Sequence, residues 1–217
     1  ISLPGHGQSS WQDHYTLDDL LSIIEYVIDQ DSDKPTMLVG HSFGGRLVLE
    51  YLRRRPNALQ GACVLDPPGM RLPGSFASPA IPRTHTVRAS KAALLDRFRI
   101  IPSQPLIHPD LCRYVAEHSI VAVPGGWRWQ FDPNFFFRLD GDQFLTPTAK
   151  PIDKLSTPLE MIFGSHTTVC TEPVRKTLQQ VSPSLHAHEL EDAWHALTLD
   201  QPLLLADHIA LLGTRWL

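Results

Sequence analysis

"KPTMLVGHSFGGRLVLEYLRRRP", residues 34–56, changes character twice within one short span. It opens as a bounded apolar run, turns at a serine set between glycines, and continues with apolar residues at helical spacing. "TMLVG" (36–40) is short and enclosed by turn formers, so it reads as a buried parallel strand rather than an alternating surface strand. After Gly44, the residues Leu47, Val48, Tyr51 and Leu52 share one face of a helix that stops before Pro56. Ser42 therefore stands where a strand becomes a helix. In that context G-x-S-x-G reads as a nucleophile elbow, a tight turn that exposes the hydroxyl and needs glycine at 40 and 44. The peptide N–H of Phe43, with the helix behind it, then points at the place where negative charge gathers on an attacked carbonyl.

The same alternation extends in both directions. Thr16 has the chemistry of a helix N-cap, with Asp18 and Asp19 in the first turn and Leu17, Leu20, Leu21, Ile24, Val27 and Ile28 at helical spacing. "GACVLD" (61–66) is a second buried strand. Helix, strand, helix, strand in close succession predicts an α/β fold with a mostly parallel sheet flanked by helices. The pattern returns with a strand in "PLEMIFG" (158–164), a helix near 173–180, a strand in "SLHAHELE" (184–191) and a helix over 202–212. Between 67 and 150 prolines crowd in and periodicity weakens, with short helical pieces at 89–99 and 109–118. This predicts a core formed by 1–66 and 151–217 and an inserted lid over 67–150. Within it Trp127, Trp129 and Phe131 alternate, and Phe135, Phe136 and Phe137 follow. Alternating aromatics pack one face of a strand or hairpin onto a core, or line an apolar pocket, and a lid's inner face does both. His41, Trp127, Trp129 and Phe131 are accordingly candidate pocket residues.

Composition narrows the function. The net charge of −4 comes from scattered charges, so no face announces a nucleic-acid partner. Arg53, Arg54 and Arg55 fall at the end of a predicted helix, where cations complement the dipole. Three cysteines, Cys63, Cys112 and Cys170, are an odd number without metal-type spacing, which disfavours a disulfide framework and a zinc site. A reducing, cytoplasmic location is the expectation. His186 and His188 share one side of a strand but lack a third ligand, so no metal or other cofactor is expected. No apolar run approaches the roughly 18 residues of a membrane span. Nothing in the sequence specifies an oligomeric state.

Three stretches, "LPGHGQS" (3–9), "GHSFGG" (40–45) and "WHALTLDQP" (194–202), carry a resemblance to the α/β-hydrolase fold family, in its lid-bearing esterase and carbon–carbon hydrolase form. The resemblance implies that Ser42 is the nucleophile, Phe43 N–H an oxyanion donor, and His195 the base. His6 and His41, beside the motifs, read as structural hydrogen-bonding residues. In many relatives the acid follows the strand matched by "PLEMIFG", but this chain has Gly164, Ser165, His166 and Thr167 there. Some members place the acid at the end of the strand after the elbow, where Asp66 stands. A buried strand rarely ends in a carboxylate without a partner, so Asp66 is preferred, with Glu172 second and Asp192 and Glu191 behind it. The resemblance further implies early strands and a second oxyanion donor upstream of Ile1, hence a longer parent hydrolase. The expected activity is cleavage of an ester, thioester, lactone or activated C–C bond of a small to medium, partly apolar substrate through an acyl-enzyme. The alternatives are a non-catalytic ligand-binding homologue and a cofactor-free oxygenase or perhydrolase on the same scaffold.

Overall fold

Four parallel strands organise the computed structural model, which describes residues 1–30, 33–69, 87–140, 151–152, 154–182 and 185–217. They are β1 (Met37–His41), β2 (Gly61–Leu65), β5 (Leu159–Gly164) and β6 (His186–Leu190), adjacent in that order. His41 lies opposite Leu65, Leu65 opposite Ile162, and Gly164 opposite Leu190, so the carboxyl ends of the four strands meet along one edge. Loops leaving that edge carry Ser42, Asp66, residues 165–170 and residues 191–196. This is where open parallel sheets gather their functional groups.

Helices cover both faces of the sheet. On one, α1 (Leu17–Gln30) buries Leu20, Leu21, Ile24 and Ile28 against α2 (Phe43–Arg54), whose Leu47, Val48, Tyr51 and Leu52 join the same core. Each such side chain contributes about 1.5–3 kcal/mol relative to leaving it exposed. Thr16 caps α1 as expected: its Oγ1 accepts the Asp19 N–H at 3.1 Å. Arg54 and Arg55 do more than complement a dipole, because they pair across to α1, Arg54 with Asp18 and Arg55 with both oxygens of Asp29 at 2.7 and 3.1 Å. On this half the helix α6 (Glu172–Val181) adds Leu178 and Val181. On the other face, Cys63, Leu65, Ile162 and Leu190 pack against Leu197 of α7 (Leu197–Asp200) and Leu205 and Leu212 of α8 (Pro202–Trp216). The sequence reading ends α8 at 212. It continues to Trp216 because that indole seats on Gly61, where a Cβ would stand 2.0 Å from the ring.

Between β2 and β5 the described chain forms α3 (Lys91–Leu95), α4 (Pro109–His118), an antiparallel hairpin of β3 (Ile120–Val123) and β4 (Gly126–Trp129), and α5 (Phe135–Arg138). The helix expected over 89–99 is shorter. Ser90 caps its start through Ala93 N–H, and after Leu95 the chain tightens into three-residue turns, Arg97 N–H to Leu94 O and Phe98 N–H to Leu95 O. This segment is fastened to the N-terminal loop through Asp132, a fully buried carboxylate. Asp132 accepts the Tyr15 hydroxyl at 2.8 Å and Arg138 Nη1 at 3.0 Å, while its own N–H donates to Gly5 O at 2.7 Å. Removing one partner from a buried charge costs far more than an exposed pair contributes, so this junction fixes "LPGHGQS" in place.

Candidate active site

Ser42 has φ 52° and ψ −117°, a conformation that L-residues rarely adopt and that the surroundings must enforce. Its N–H donates to Leu65 O at 2.8 Å, which ties the turn to the neighbouring strand. Gly40 is needed for space, since a Cβ there would stand 2.3 Å from Gly44 O. The second crowded position differs from the sequence reading. Gly44 faces open space, whereas a Cβ on Gly45 would stand 3.0 Å from Gly40 O and 3.3 Å from Pro67 Cβ. The turn closes one residue further into the helix than the motif suggests. Phe43 heads α2, so its peptide N–H is among the first of that helix.

The structure brings Ser42, His195 and Asp66 into one line. His195 Nδ1 is 2.6 Å from Asp66 Oδ2, and its Nε2 is 2.9 Å from Ser42 Oγ. A carboxylate only accepts, so Nδ1 carries the proton and Nε2 is left as the acceptor for the serine hydroxyl. Both Asp66 and His195 are buried. Asp66 sits in a left-handed conformation, φ 43°, at the end of β2, with its N–H held by Ile162 O at 2.7 Å. Thr167, at the place left without a carboxylate, turns its Oγ1 onto the same Asp66 Oδ2 at 2.6 Å. That hydroxyl oxygen already accepts N–H groups from Val169 at 3.0 Å and Cys170 at 3.3 Å. Its single proton is therefore committed to Asp66. Gly164 N–H reaches the other carboxylate oxygen at 3.3 Å.

The runner-up acids lie elsewhere. Glu172 begins α6 and pairs with Lys176 at 2.7 Å in the open. Asp192 is largely exposed, 3.9 Å from His166. His41 stacks near the His195 ring, centroids 4.8 Å apart, and its Nε2–H donates to His195 O at 2.7 Å. The rings edge-on to Phe43 are Phe135 and Phe136, at 5.6 and 5.7 Å. Trp127 has Lys91 Nζ over its ring, and Trp129 stacks on the exposed Phe131. The sequence signal for the pair beside the elbow was only the run after Asn134, which lacks strand-like alternation. The three cysteines are free and buried, with burial pushing the Cys63 thiol up to about 12. His188 stacks on His208, which pairs with Glu160. Among the described residues no cluster of three or more His, Cys, Asp or Glu is arranged to hold a metal ion, and no helix is long and apolar enough to cross a membrane.

Three histidines make stability depend on pH: His188, lowered from its ordinary 6.5 by burial and the neighbouring His208, acts with His41 and His6. Burial and the adjacent His195 hold His41 below its ordinary value of 6.5, and burial does the same for His6. The folded state thus binds fewer protons than the unfolded one near and below pH 6.5, and the stability present above that value drains as pH falls. Asp200, whose carboxyl burial pushes above its ordinary 3.8, acts in the opposite sense as pH falls toward that value. Urea melts at pH 7.5 and 5.5 are expected to show the lower midpoint at 5.5; an unchanged or higher midpoint contradicts the assignment of partly buried, neutral histidines.

A parallel sheet wrapped by helices, with a serine on a strained strand-to-helix turn facing a histidine and an aspartate, defines an α/β-hydrolase architecture. The chain belongs to the alpha/beta hydrolase family, whose model matches residues 1–208. It is similar to the lipase LipV of Mycobacterium tuberculosis, with 31% identity over 140 residues, 58% of this chain and 49% of that protein. The chain thus spans about half the length of that relative. Solved structures with the same fold include E-2-(acetamidomethylene)succinate hydrolase (TM-score 0.78, 18% identity, 96% of this chain and 78% of the other). An esterase of Mycobacterium tuberculosis gives 0.77 at 20% identity, covering 98% and 73%. The thioesterase domain of the curacin biosynthetic pathway gives 0.73 at 21%, covering 96% and 79%.

Proposed function

We propose that this chain carries the catalytic centre of a serine hydrolase acting on an ester, thioester, lactone or activated C–C bond of a small to medium, partly apolar substrate. The observation that carries the reading is the unbroken path from Ser42 Oγ through the His195 ring to Asp66, at 2.9 and 2.6 Å. Serine is a poor nucleophile until a base removes its proton, and His195 Nε2 is the base within reach. Ser42 Oγ bonds to the substrate carbonyl carbon while its proton passes to Nε2. Asp66 steadies the imidazolium, and Phe43 N–H donates to the oxyanion. The tetrahedral adduct collapses, His195 returns the proton to the leaving group, and an acyl-enzyme remains on Ser42. Water, deprotonated by His195, then releases the acid and restores the serine. Of the span 67–150 expected as a lid, 70–86 and 141–150 lie outside the described residues; within the rest, Phe135 and Phe136 offer an apolar wall beside Phe43.

The rival non-catalytic reading drew its support from the missing carboxylate beside Thr167. The contact of His195 Nδ1 with Asp66 at 2.6 Å, with Thr167 bonded to the same oxygen, supports the catalytic reading over it. A fluorophosphonate probe tests the proposal directly. The chain, in its full-length protein, is expected to label at Ser42 in intact-mass and peptide analysis, and Ser42→Ala is expected to stay blank. A folded wild-type protein that resists labelling overturns the hydrolase reading.

A further inference from the structure

The backbone around His195 is held at three successive residues by three side chains. Trp194 N–H donates to Asp200 Oδ2 at 2.9 Å, His195 O accepts from His41 Nε2–H at 2.7 Å, and Ala196 N–H donates to Gln104 Oε1 at 3.0 Å. Gln104 closes this arrangement, because its Nε2 also donates to both oxygens of Asp200, at 2.9 and 3.0 Å. The orientation of the amide follows from its partners: a carboxylate only accepts and a peptide N–H only donates. Asp200 is buried, and Gln104 is half-buried between it and the loop. His41 and Asp200 belong to the hydrolase core. Gln104 comes from the segment between β2 and β5, 92 positions from Ala196 in the chain.

We infer that Gln104 is a positioning residue for His195, locking the backbone that bears the base and joining the segment between β2 and β5 to the catalytic machinery. The inference rests on the proposed role of His195 as base. Gln104 is not bonded to the serine, the imidazole ring or Asp66; it acts directly on Ala196 N–H, in the peptide that follows the histidine, and through Asp200 on Trp194 N–H. Freed at Ala196 and with Asp200 loosened, the loop lets the imidazole drift from its line between Ser42 and Asp66. A misplacement of this kind, about 1 Å, costs on the order of a hundredfold in rate.

The test compares Gln104→Ala and Gln104→Glu with wild type in the full-length protein, using an aryl ester for turnover and a fluorophosphonate for labelling rate. Gln104→Ala is expected to lower kcat roughly ten- to a hundredfold, to leave KM within about twofold, and to slow labelling in parallel. Gln104→Glu keeps an acceptor for Ala196 N–H but sets a second carboxylate against Asp200. Its kcat relative to wild type is expected to rise as pH falls and the two carboxylates come to share a proton. A merely structural prop lowers the melting temperature without producing that pH-dependent ratio. Wild-type kcat and labelling in both variants overturn the inference alone, as does a loss of rate matched by loss of folded protein. A wild-type protein that never labels removes the hydrolase reading, and this inference with it.

Discussion

Asp66→Asn is expected to lower kcat by about 10⁴ with KM little changed, the scale seen when the acid of a Ser-His-Asp set loses its charge but keeps its shape. The hydrogen bonds around Asp66 show why the amide fails in either orientation. Oδ2 receives both the His195 Nδ1–H and the Thr167 hydroxyl at 2.6 Å, and Oδ1 receives Gly164 N–H at 3.3 Å. If the amide NH2 replaces Oδ2, it confronts two donors and favours the tautomer with the proton on Nε2, which has no lone pair for the serine proton. If it replaces Oδ1, it confronts Gly164 N–H instead. In both cases the negative charge that stabilises imidazolium is gone. Glu172→Gln is expected to leave turnover near wild type, since Glu172 is an exposed helix-start residue paired with Lys176. Steady-state kinetics on an aryl ester separate the two. Turnover that survives Asp66→Asn but collapses in Glu172→Gln moves the acid to Glu172.

What the sequence makes legible follows from distance along the chain. The strand ending at His41 and the helix starting at Phe43 are neighbours, so hydrophobic period, glycines and the stop before Pro56 place Ser42 without tertiary information. The mostly parallel sheet flanked by helices is equally accessible, because short buried strands alternate with helices; the order of its strands is not. The less legible features are contacts between distant residues. Thr167 reaches Asp66 across 101 positions, and Gln104 reaches Ala196 across 92. Neither threonine nor glutamine carries a compositional signal for such a role. Arg54 and Arg55 look like a solvated helix end until α1 supplies Asp18 and Asp29. Gly45 shows the same limit on a smaller scale: its crowding comes partly from Pro67, which only the fold brings near.

Thr167→Val is the second large effect, and it separates a hydroxyl that merely fills space from one that holds the acid. Valine matches the shape of threonine but has neither the proton given to Asp66 nor the lone pairs that accept from Val169 and Cys170 N–H. Two consequences are expected. Losing a hydrogen bond to a charged group lowers kcat roughly ten- to a hundredfold, because Asp66 gains the freedom to rotate away from His195 Nδ1. Leaving two peptide N–H groups without an acceptor costs about 1–3 kcal/mol of stability, read as a lower urea midpoint. Thr167→Ser restores the hydroxyl while omitting the methyl, so it is expected to recover most of kcat and most of the midpoint. If Thr167→Ser behaves like Thr167→Val, the methyl group is what matters there, and Asp66 is held by Gly164 and the β2 backbone alone. If Thr167→Val keeps full kcat with only a lower midpoint, the hydroxyl serves the loop rather than the acid. Only a fall in kcat that the serine variant reverses makes Thr167, at the place where many relatives carry their carboxylate, the residue that keeps Asp66 aligned.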